Sequence, residues 1–186
     1  MVELFDAFPY LKNQKIIIRK MVEQDVEALA EITDNDNVYK YIAPFLHRKS
    51  KNFLLTAIKN ISSRDFDKKK FIIAGIYLND DPDKLVGLAE MFDYKKKANR
   101  ITIGYRINEA YWHQGIATNA VELMTRYLSQ EIGIDVIQGF VMADNIYSSK
   151  VLLKNNFKKE NYVVQEKNWG EHDVVDVEVY THTNTN

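Results

Sequence analysis

The stretch RITIGYRINEAYWHQGIATNAVELM, residues 100–124, changes its periodicity part-way. Apolar residues alternate with polar or small ones through residues 100–107, which predicts a strand, and from Ala117 onward they recur at helical spacing. Gly115 and Ala117 make the chain slim at the point where that helix begins. The first amides of a helix lack partners within it and form a natural anion site, and a pyrophosphate fits that description. Tight packing of the helix on a sheet is the alternative explanation.

The rest of the chain extends this pattern into a mixed α and β fold. Three apolar segments joined by short polar turns, from 71 to 107, predict an antiparallel meander. The order strand, helix, strand after residue 100 predicts a parallel pair with a crossover. We predict strands at 15–21, 71–78, 84–94, 100–107, 136–142 and two more at the C-terminal end, with helices at 22–32, 50–63, 117–128 and 146–154.

The composition predicts one domain spanning residues 1–186, with 181–186 as a frayed tail. The 25 basic and 26 acidic residues nearly balance, which argues against a nucleic-acid partner. The absence of cysteine excludes disulfides and an acyl-cysteine intermediate, and the four histidines lack metal-ligand spacing. No apolar run is long enough to span a bilayer, and the first residues do not resemble a signal peptide. We therefore expect a cytoplasmic protein with no membrane partner and no metal.

Two segments carry a family resemblance. IGYRINEAYWHQGIATNAVELM (103–124) and ADNIYSSKVLLKNNF (143–157) resemble the acetyl-CoA-binding core of the GNAT N-acetyltransferases, in particular the Rim-type branch that acetylates ribosomal-protein N-termini. The resemblance implies an α+β fold, with a mixed sheet of about seven strands flanked by about four helices. It also implies acetyl-CoA as co-substrate, wedged where two parallel strands splay, and it suggests a homodimer.

The resemblance also assigns residues that bind the co-substrate. The family's phosphate loop begins with Gln or Arg, whereas Trp112 occupies that position here, as it does in the Rim-type branch. The implied pyrophosphate ligands are the amides of Gln114, Gly115, Ile116, Ala117 and Thr118, and the implied partners of the pantetheine arm are Tyr105, Arg106, Ile107 and Asn145.

The proton donor to the leaving thiolate is the first of two catalytic assignments. Many GNAT enzymes have a tyrosine seven residues after the asparagine that corresponds to Asn145, but Leu152 occupies that position here. Ser148 is our candidate donor, because Rim-type members have a serine at the same place. A residue of the first helical turn with no catalytic role is the alternative for Ser148, and water can also serve as donor.

The general base is the second assignment. Glu90 is the one ionisable side chain between Leu85 and Phe92, and it shares a strand face with apolar neighbours, where desolvation favours base function. A Glu90 paired with a nearby arginine or lysine is the alternative. An N-terminal amine, with a pKa of about 7.7, costs roughly 1 kcal/mol to deprotonate at pH 7, against nearly 5 kcal/mol for a lysine.

These assignments predict an N-acetyltransferase in which the amine attacks the thioester directly. The expected acceptor is a protein N-terminal α-amine, entering from the side of Tyr39 and Tyr41. A small amine such as a polyamine or an aminoglycoside is the alternative acceptor, and a non-catalytic acyl-CoA sensor is the alternative class. A polyamine site needs several carboxylates; the candidates near the acceptor segments are Asp34, Asp36, Asp65 and Asp67.

Overall fold

The computed structural model describes residues 2–184, which form one eight-stranded sheet. Its strand order is β1-β2-β3-β4-β5-β6-β8-β7. Every neighbouring pair is antiparallel except β5 and β6, which are parallel. The strands are β1 Leu11–Lys12, β2 Ile16–Arg19, β3 Phe71–Leu78, β4 Leu85–Lys95, β5 Arg100–Ile107, β6 Val136–Met142, β7 Lys158–Trp169 and β8 His172–Thr183.

Helices cover both faces of the sheet and contribute buried side chains to two core clusters. The residues of α1 and α3 belong to one core cluster, and those of α5 and α6 belong to the other. Beyond its last α-helical residue, α5 continues into a π-helical segment, Tyr127–Ile132. The helices are α1 Val26–Thr33, α2 Asp36–Tyr39, α3 Lys51–Ile61, α4 Arg64–Asp67, α5 Ile116–Arg126 and α6 Ile146–Lys154.

The predicted α+β fold with a mixed sheet is confirmed, with differences in the short elements. The strand β1 and the helices α2 and α4 are additional to the prediction, because two or four residues are too few to show a periodicity. The predicted range of α6, residues 146–154, is confirmed, and Asn156 beyond its end takes a left-handed conformation with φ 62°. No helix within residues 2–184 combines the length and the hydrophobicity needed to cross a bilayer.

The predicted frayed tail, residues 181–186, is wrong for its first half. Residues 181–183 are the end of β8, and they pair with Val136–Gln138 of β6. Asn184 extends this contact, because its backbone amide donates to the carbonyl of Asp135 at 2.9 Å. The sequence THTN is polar and shows no apolar alternation, so it did not predict a strand. The strand forms because its hydrogen bonds are made by the backbone and need no apolar side chain. Residues 185–186 lie outside the described residues.

The parallel pair β5 and β6 stays together over only three residues. Arg100, Ile101 and Thr102 pair with Val136–Gln138, and the pairing then ends. β5 continues along β4 as far as Ile107, while β6 continues along β8 as far as Met142. The two strands therefore diverge beyond Thr102 and leave a gap inside the sheet.

The β7–β8 hairpin folds toward the segment after α2. Its turn residue Gly170 donates its amide to the carbonyl of Ile42 at 3.0 Å. Gly170 has φ +57°, and a Cβ on it would lie 2.2 Å from the carbonyl oxygen of Lys40, so only glycine fits this contact. The hairpin tip is thereby held against residues 40–42, on one side of the gap between β5 and β6.

Candidate active site

Two residues of β5 turn their backbone groups toward the gap. The amide of Asn108 donates to Val86 on β4 at 2.9 Å, and backbone groups alternate in direction along a strand. Arg106 therefore faces β4, whereas Tyr105 and Ile107 face away from it. The indole Nε1 of Trp112 donates to the carbonyl of Ile107 at 2.8 Å, which agrees with this direction. The gap thus has a strand edge with its own backbone donors and acceptors.

The slim loop leads directly from this edge into α5. Gly115 is the residue before the helix and has φ +75°, a left-handed conformation that suits glycine. The next three amides, those of Ile116, Ala117 and Thr118, have no carbonyl partner within the helix. Ile116 points its side chain into the core, whereas Gly115 is exposed. The loop therefore presents amides to the surface at the positive end of a helix dipole.

Two side-chain hydrogen bonds join the turn between β1 and β2 to this loop, and a lysine of that turn lies beside the loop. Asn13, in the turn between β1 and β2, donates its Nδ2 to Asn119 Oδ1 at 2.8 Å, and Asn119 Nδ2 donates to the carbonyl of Gly115 at 2.8 Å. The Nζ of Lys15 lies 3.5 Å from the position of a Cβ on Gly115. Within residues 2–184, no carboxylate lies within ion-pair distance of Lys15. A cation is thus placed beside the loop amides.

A cavity of about 110 Å³ occupies the gap and is lined by residues from both faces of the sheet. Ser148 and Leu152 of α6 line it from one face, and Glu90 and Arg106 line it from the other. Among the residues described, its lining also includes Tyr41, Ile42, Ala43, Phe92, Thr102, Gly104, Tyr105, Gly139, Phe140, Asn145 and Trp169.

Ser148 is held in place by two neighbours. Asn145 is the N-cap of α6, and its Oδ1 accepts the backbone amide of Ser148 at 3.3 Å. The Tyr105 hydroxyl donates to Ser148 Oγ at 2.9 Å. Burial raises the pKa of Tyr105 to about 12, although the hydrogen bond to Ser148 acts in the opposite direction. One turn later Leu152 packs against Gly139, which has no Cβ to obstruct it.

Glu90 and Arg106 form a buried ion pair on the opposite face. Arg106 Nη1 donates to Glu90 Oε1, and the two side chains are only 4% and 12% exposed. Arg106 Nη2 also donates to the carbonyl of Ala43 at 3.3 Å, and its guanidinium lies over the rings of Tyr39 and Phe45. Burial lowers the pKa of Arg106. Glu90 Oε2 lies toward Gly104, on the side of the cavity.

Comparison with known proteins identifies the family to which this site belongs. The family model described as acetyltransferase (GNAT) domain matches residues 15–158, more than half of the chain. The chain belongs to the GNAT acetyltransferases. An uncharacterized N-acetyltransferase of Bacillus subtilis, YoaA, is 28% identical over 158 residues, which cover 85% of this chain and 88% of that protein.

Solved GNAT structures share the fold at low sequence identity. The ribosomal L7/L12 alpha-N-protein acetyltransferase RimL, solved with coenzyme A, has a TM-score of 0.79 at 16% identity, covering 94% of this chain and 98% of that one. The spermidine N-acetyltransferase of Vibrio cholerae, solved with CoA and spermine, has a TM-score of 0.76 at 14% identity, covering 92% and 97%. The family model and the relative YoaA make the chain an N-acetyltransferase that uses acetyl-CoA, and the shared fold does not select the acceptor.

The residues assigned to acetyl-CoA fit a ligand of that shape. The amides after Gly115 suit the diphosphate, and the exposed edge at Tyr105 and Ile107 suits an extended arm that pairs with a strand. Arg106, predicted with them, directs its backbone to β4 and its side chain to Glu90. The Asn145 oxygen serves the helix cap, and its Nδ2 group is not part of that cap. The binding roles of these residues are predictions supported by their placement.

The two predicted catalytic side chains flank the gap from opposite faces of the sheet. Ser148 contacts Tyr105 on the α6 face, while Glu90 lies on the face of Tyr39 and Phe45. The ion-paired alternative for Glu90 is the observed arrangement. Both side chains nevertheless line the cavity, so their catalytic assignment stays a prediction.

The acceptor-side aromatic residues divide into core and cavity groups. Tyr39 is buried, donates its hydroxyl to the carbonyl of Phe45 at 2.7 Å and stacks on His47. Burial raises the pKa of Tyr39. Tyr41, by contrast, lines the cavity together with Trp169 from the hairpin tip. Of the predicted entrance pair, only Tyr41 therefore faces the cavity.

Several residues of the site escaped the sequence analysis. Lys15 lies beside the loop, and Trp169 lines the gap, from segments distant in sequence, so no local spacing identifies them. The Arg106 side chain was missed because its partner Glu90 lies on a different strand. The Tyr105 side chain was also missed, although the strand alternation placed it on the face of Ile103 and Ile107. No cluster of three or more potential metal ligands occurs in the described part of the chain.

Proposed function

We propose that this GNAT enzyme acetylates the α-amine of a protein N-terminus, in the manner of the Rim-type ribosomal-protein acetyltransferases. A cytoplasmic location belongs to the same proposal, because ribosomal proteins are made there. The observation that carries the proposal is the ion pair between Glu90 and Arg106. This ion pair limits how strong a base Glu90 can be, and it neutralises the negative charge that Glu90 brings to the acceptor site.

The ion pair limits what Glu90 can deprotonate. A guanidinium favours the charged form of an adjacent carboxylate, so Glu90 is poorly suited to take a proton from a strongly basic amine. An α-amine, with a pKa of about 7.7, needs only roughly 1 kcal/mol at pH 7 to become a free nucleophile, whereas a lysine side chain needs nearly 5 kcal/mol. The α-amine is therefore the acceptor that this base can serve.

The same pair argues against a polycationic acceptor. Among the described residues that line the cavity, Glu90 is the one carboxylate, and Arg106 compensates its charge. Two of the four candidate carboxylates are paired with other side chains. Asp36 binds Arg48 and His47, and Asp65 binds Lys70 and Arg64. A polyamine needs several uncompensated carboxylates, so a spermidine-type acceptor has less support here despite the shared fold.

The proposed chemistry is a direct transfer across the gap. Bound acetyl-CoA supplies an activated carbonyl carbon with a thiolate as leaving group. The Ile107 amide faces the gap and is placed to donate to the carbonyl oxygen as charge develops there. Glu90 Oε2 accepts the proton of the attacking amine through a water, and Ser148 assists the leaving sulfur from the other face. No acyl-enzyme forms, and we expect ternary-complex kinetics.

The acceptor enters from the Glu90 face, between Tyr41 and the hairpin tip. Trp169 and residues 41–43 line the cavity there, and the Gly170 amide bonds to Ile42. A covered entrance of this kind admits a slim chain end more readily than a bulky polycyclic amine. An aminoglycoside is accordingly a less suitable acceptor than a peptide terminus.

The test compares matched peptides. Each peptide carries either a free N-terminus with no lysine, or a blocked N-terminus with one lysine, and thiol release from acetyl-CoA is followed alongside spermidine and an aminoglycoside. Release with the free N-terminus alone supports the proposal, and release with spermidine or with the lysine peptide alone refutes it. Gly115→Glu is the control for the phosphate loop. Tight acetyl-CoA binding without release to any amine would instead favour a sensor.

A further inference from the structure

The Tyr105 side chain places a hydroxyl group beside Ser148, whereas Leu152, one turn later on α6, has none. Ser148 and Leu152 are four residues apart and share one face of α6, and Leu152 is buried against Gly139 without a polar group. The Tyr105 hydroxyl comes from β5 and reaches Ser148 Oγ at 2.9 Å. A phenol is thus present beside Ser148, on a different element of the fold.

We propose that Tyr105 is a positioning residue that fixes the Ser148 hydroxyl as a hydrogen-bond donor to the departing sulfur, in the reaction proposed above. The geometry of the contact supports this role. The two hydroxyl oxygens lie 2.9 Å apart and both residues line the cavity, so when Tyr105 donates to Ser148 Oγ the serine proton is free to point into the cavity. The backbone bond from Ser148 to Asn145 restricts the remaining freedom of the serine.

The dyad acts by hydrogen bonding and keeps its protons. The amine nitrogen forms a bond to the carbonyl carbon, and the C–S bond breaks with its electron pair on sulfur. The nitrogen loses its proton through water to Glu90, and sulfur leaves as a thiolate that accepts a hydrogen bond from Ser148. Burial raises the pKa of Tyr105 to about 12, far above the value of about 8.5 typical of a thiol, so Tyr105 stays protonated throughout.

A double-mutant cycle tests the proposal. Tyr105→Phe keeps the ring and removes only the hydroxyl, and Ser148→Ala removes the proposed donor. Each is measured by single-turnover thiol release, together with calorimetric affinity for acetyl-CoA and the KM of the acceptor. We expect Tyr105→Phe to lower the turnover rate about three- to tenfold, with affinity and KM unchanged. In the Ser148→Ala background the same substitution should have no further effect, because the two groups act as one unit.

Several outcomes overturn the proposal. The first is a turnover rate of Tyr105→Phe equal to that of the wild type. The second is a double variant whose rate falls by the product of the two single effects. The third is a Tyr105→Phe variant that loses only affinity for acetyl-CoA. Tyr180→Phe is the matched control. Tyr180 is also a buried tyrosine, but its hydroxyl bonds to Glu178 instead of a cavity residue, so its turnover should be unaffected.

The test separates this inference from the proposed function. Where no amine is acetylated, the proposed function fails, and the dyad is then assessed from the hydrolysis of acetyl-CoA, which has the same leaving group. Where Tyr105→Phe does not fold, Ser148→Ala carries the test. A lowered turnover rate at unchanged acetyl-CoA affinity supports the donor, and an unchanged rate overturns it.

Discussion

Replacing Glu90 with glutamine should destabilise the protein and slow the reaction for separate reasons. The Arg106 side chain is 4% exposed and that of Glu90 is 12% exposed, so the substitution leaves a buried guanidinium without its counter-charge. Breaking such a pair costs about 3–5 kcal/mol. Because the glutamine oxygen still accepts a hydrogen bond, we expect the free energy of unfolding to fall by about 3 kcal/mol. This loss is a large part of a typical stability of roughly 5–15 kcal/mol. Urea unfolding at pH 7 measures it.

A paired substitution distinguishes stability from catalysis. Glu90→Met with Arg106→Met replaces both charges by apolar groups of similar length, and such exchanges are nearly neutral or stabilising. This double variant should recover the free energy of unfolding of the wild type. If Glu90 is the base, it should still turn over slowly with a peptide α-amine. Glu27→Gln is the control, because its partner Lys51 is exposed and the loss should stay below about 1 kcal/mol.

Two results contradict this reasoning. A Glu90→Gln variant within about 1 kcal/mol of the wild type would show that the pair does not behave as a buried one in solution. A double variant with wild-type turnover would remove Glu90 from the mechanism and leave the amine to react without a protein base. In that case the pair would serve only to orient the strands β4 and β5, on which its two members lie.

Four further predictions concern the rest of the site. With a peptide α-amine at saturating acetyl-CoA, kcat/KM should rise up to about pH 7.7 and then stay level to about pH 9, because the pKa of Tyr105 is raised to about 12 and its proton is retained throughout this range; a fall below about pH 9 contradicts this. Gly115→Ala should cost about 1 kcal/mol of stability from its φ of +75° yet bind acetyl-CoA normally by calorimetry, whereas Gly115→Glu should abolish binding. Gly170→Ala should raise the acceptor KM without changing acetyl-CoA affinity, since its Cβ displaces the hairpin tip from Lys40, and an unchanged KM separates the tip from the acceptor path. Lys15→Met should weaken acetyl-CoA binding about three- to tenfold and reduce its salt dependence, with Lys12→Met as the control that stays at the wild-type value.

Periodicity predicted the parts of the fold that repeat, and it missed the parts that do not. The alternation through residues 100–107 and the helical spacing from Ala117 identified β5 and α5 nearly to the residue. The small residues at Gly115 and Ala117 correctly marked the start of α5, whereas the left-handed conformation of Gly115 was not predicted. β1 and the end of β8 were missed, since strands that are short or polar gain their stability from backbone pairing.

The site was predictable only where it is local in sequence. The loop from Gln114 to Thr118 and Asn145 were assigned to acetyl-CoA from one segment each, and these assignments stay predictions. The partners of Glu90 and Ser148 could not, because both ion pair and dyad join elements that meet only in the folded sheet. The sequence is compatible with Glu90 as a base or as the partner of a cation, and the register of β4 against β5 places Arg106 beside it.

The early separation of β5 from β6 gives this protein a strand edge in the interior of its sheet. Exposed edges are normally blunted or covered because they pair with strands of other chains, and here α6 and the β7–β8 hairpin line the cavity beside Tyr105. An extended molecule in this cavity can pair with the edge as a strand would. Hydrogen exchange should therefore be fast at the amides of Tyr105 and Ile107 and slow at the β4-facing amide of Arg106, and a ligand lying along β5 should protect alternate residues, as an added strand would.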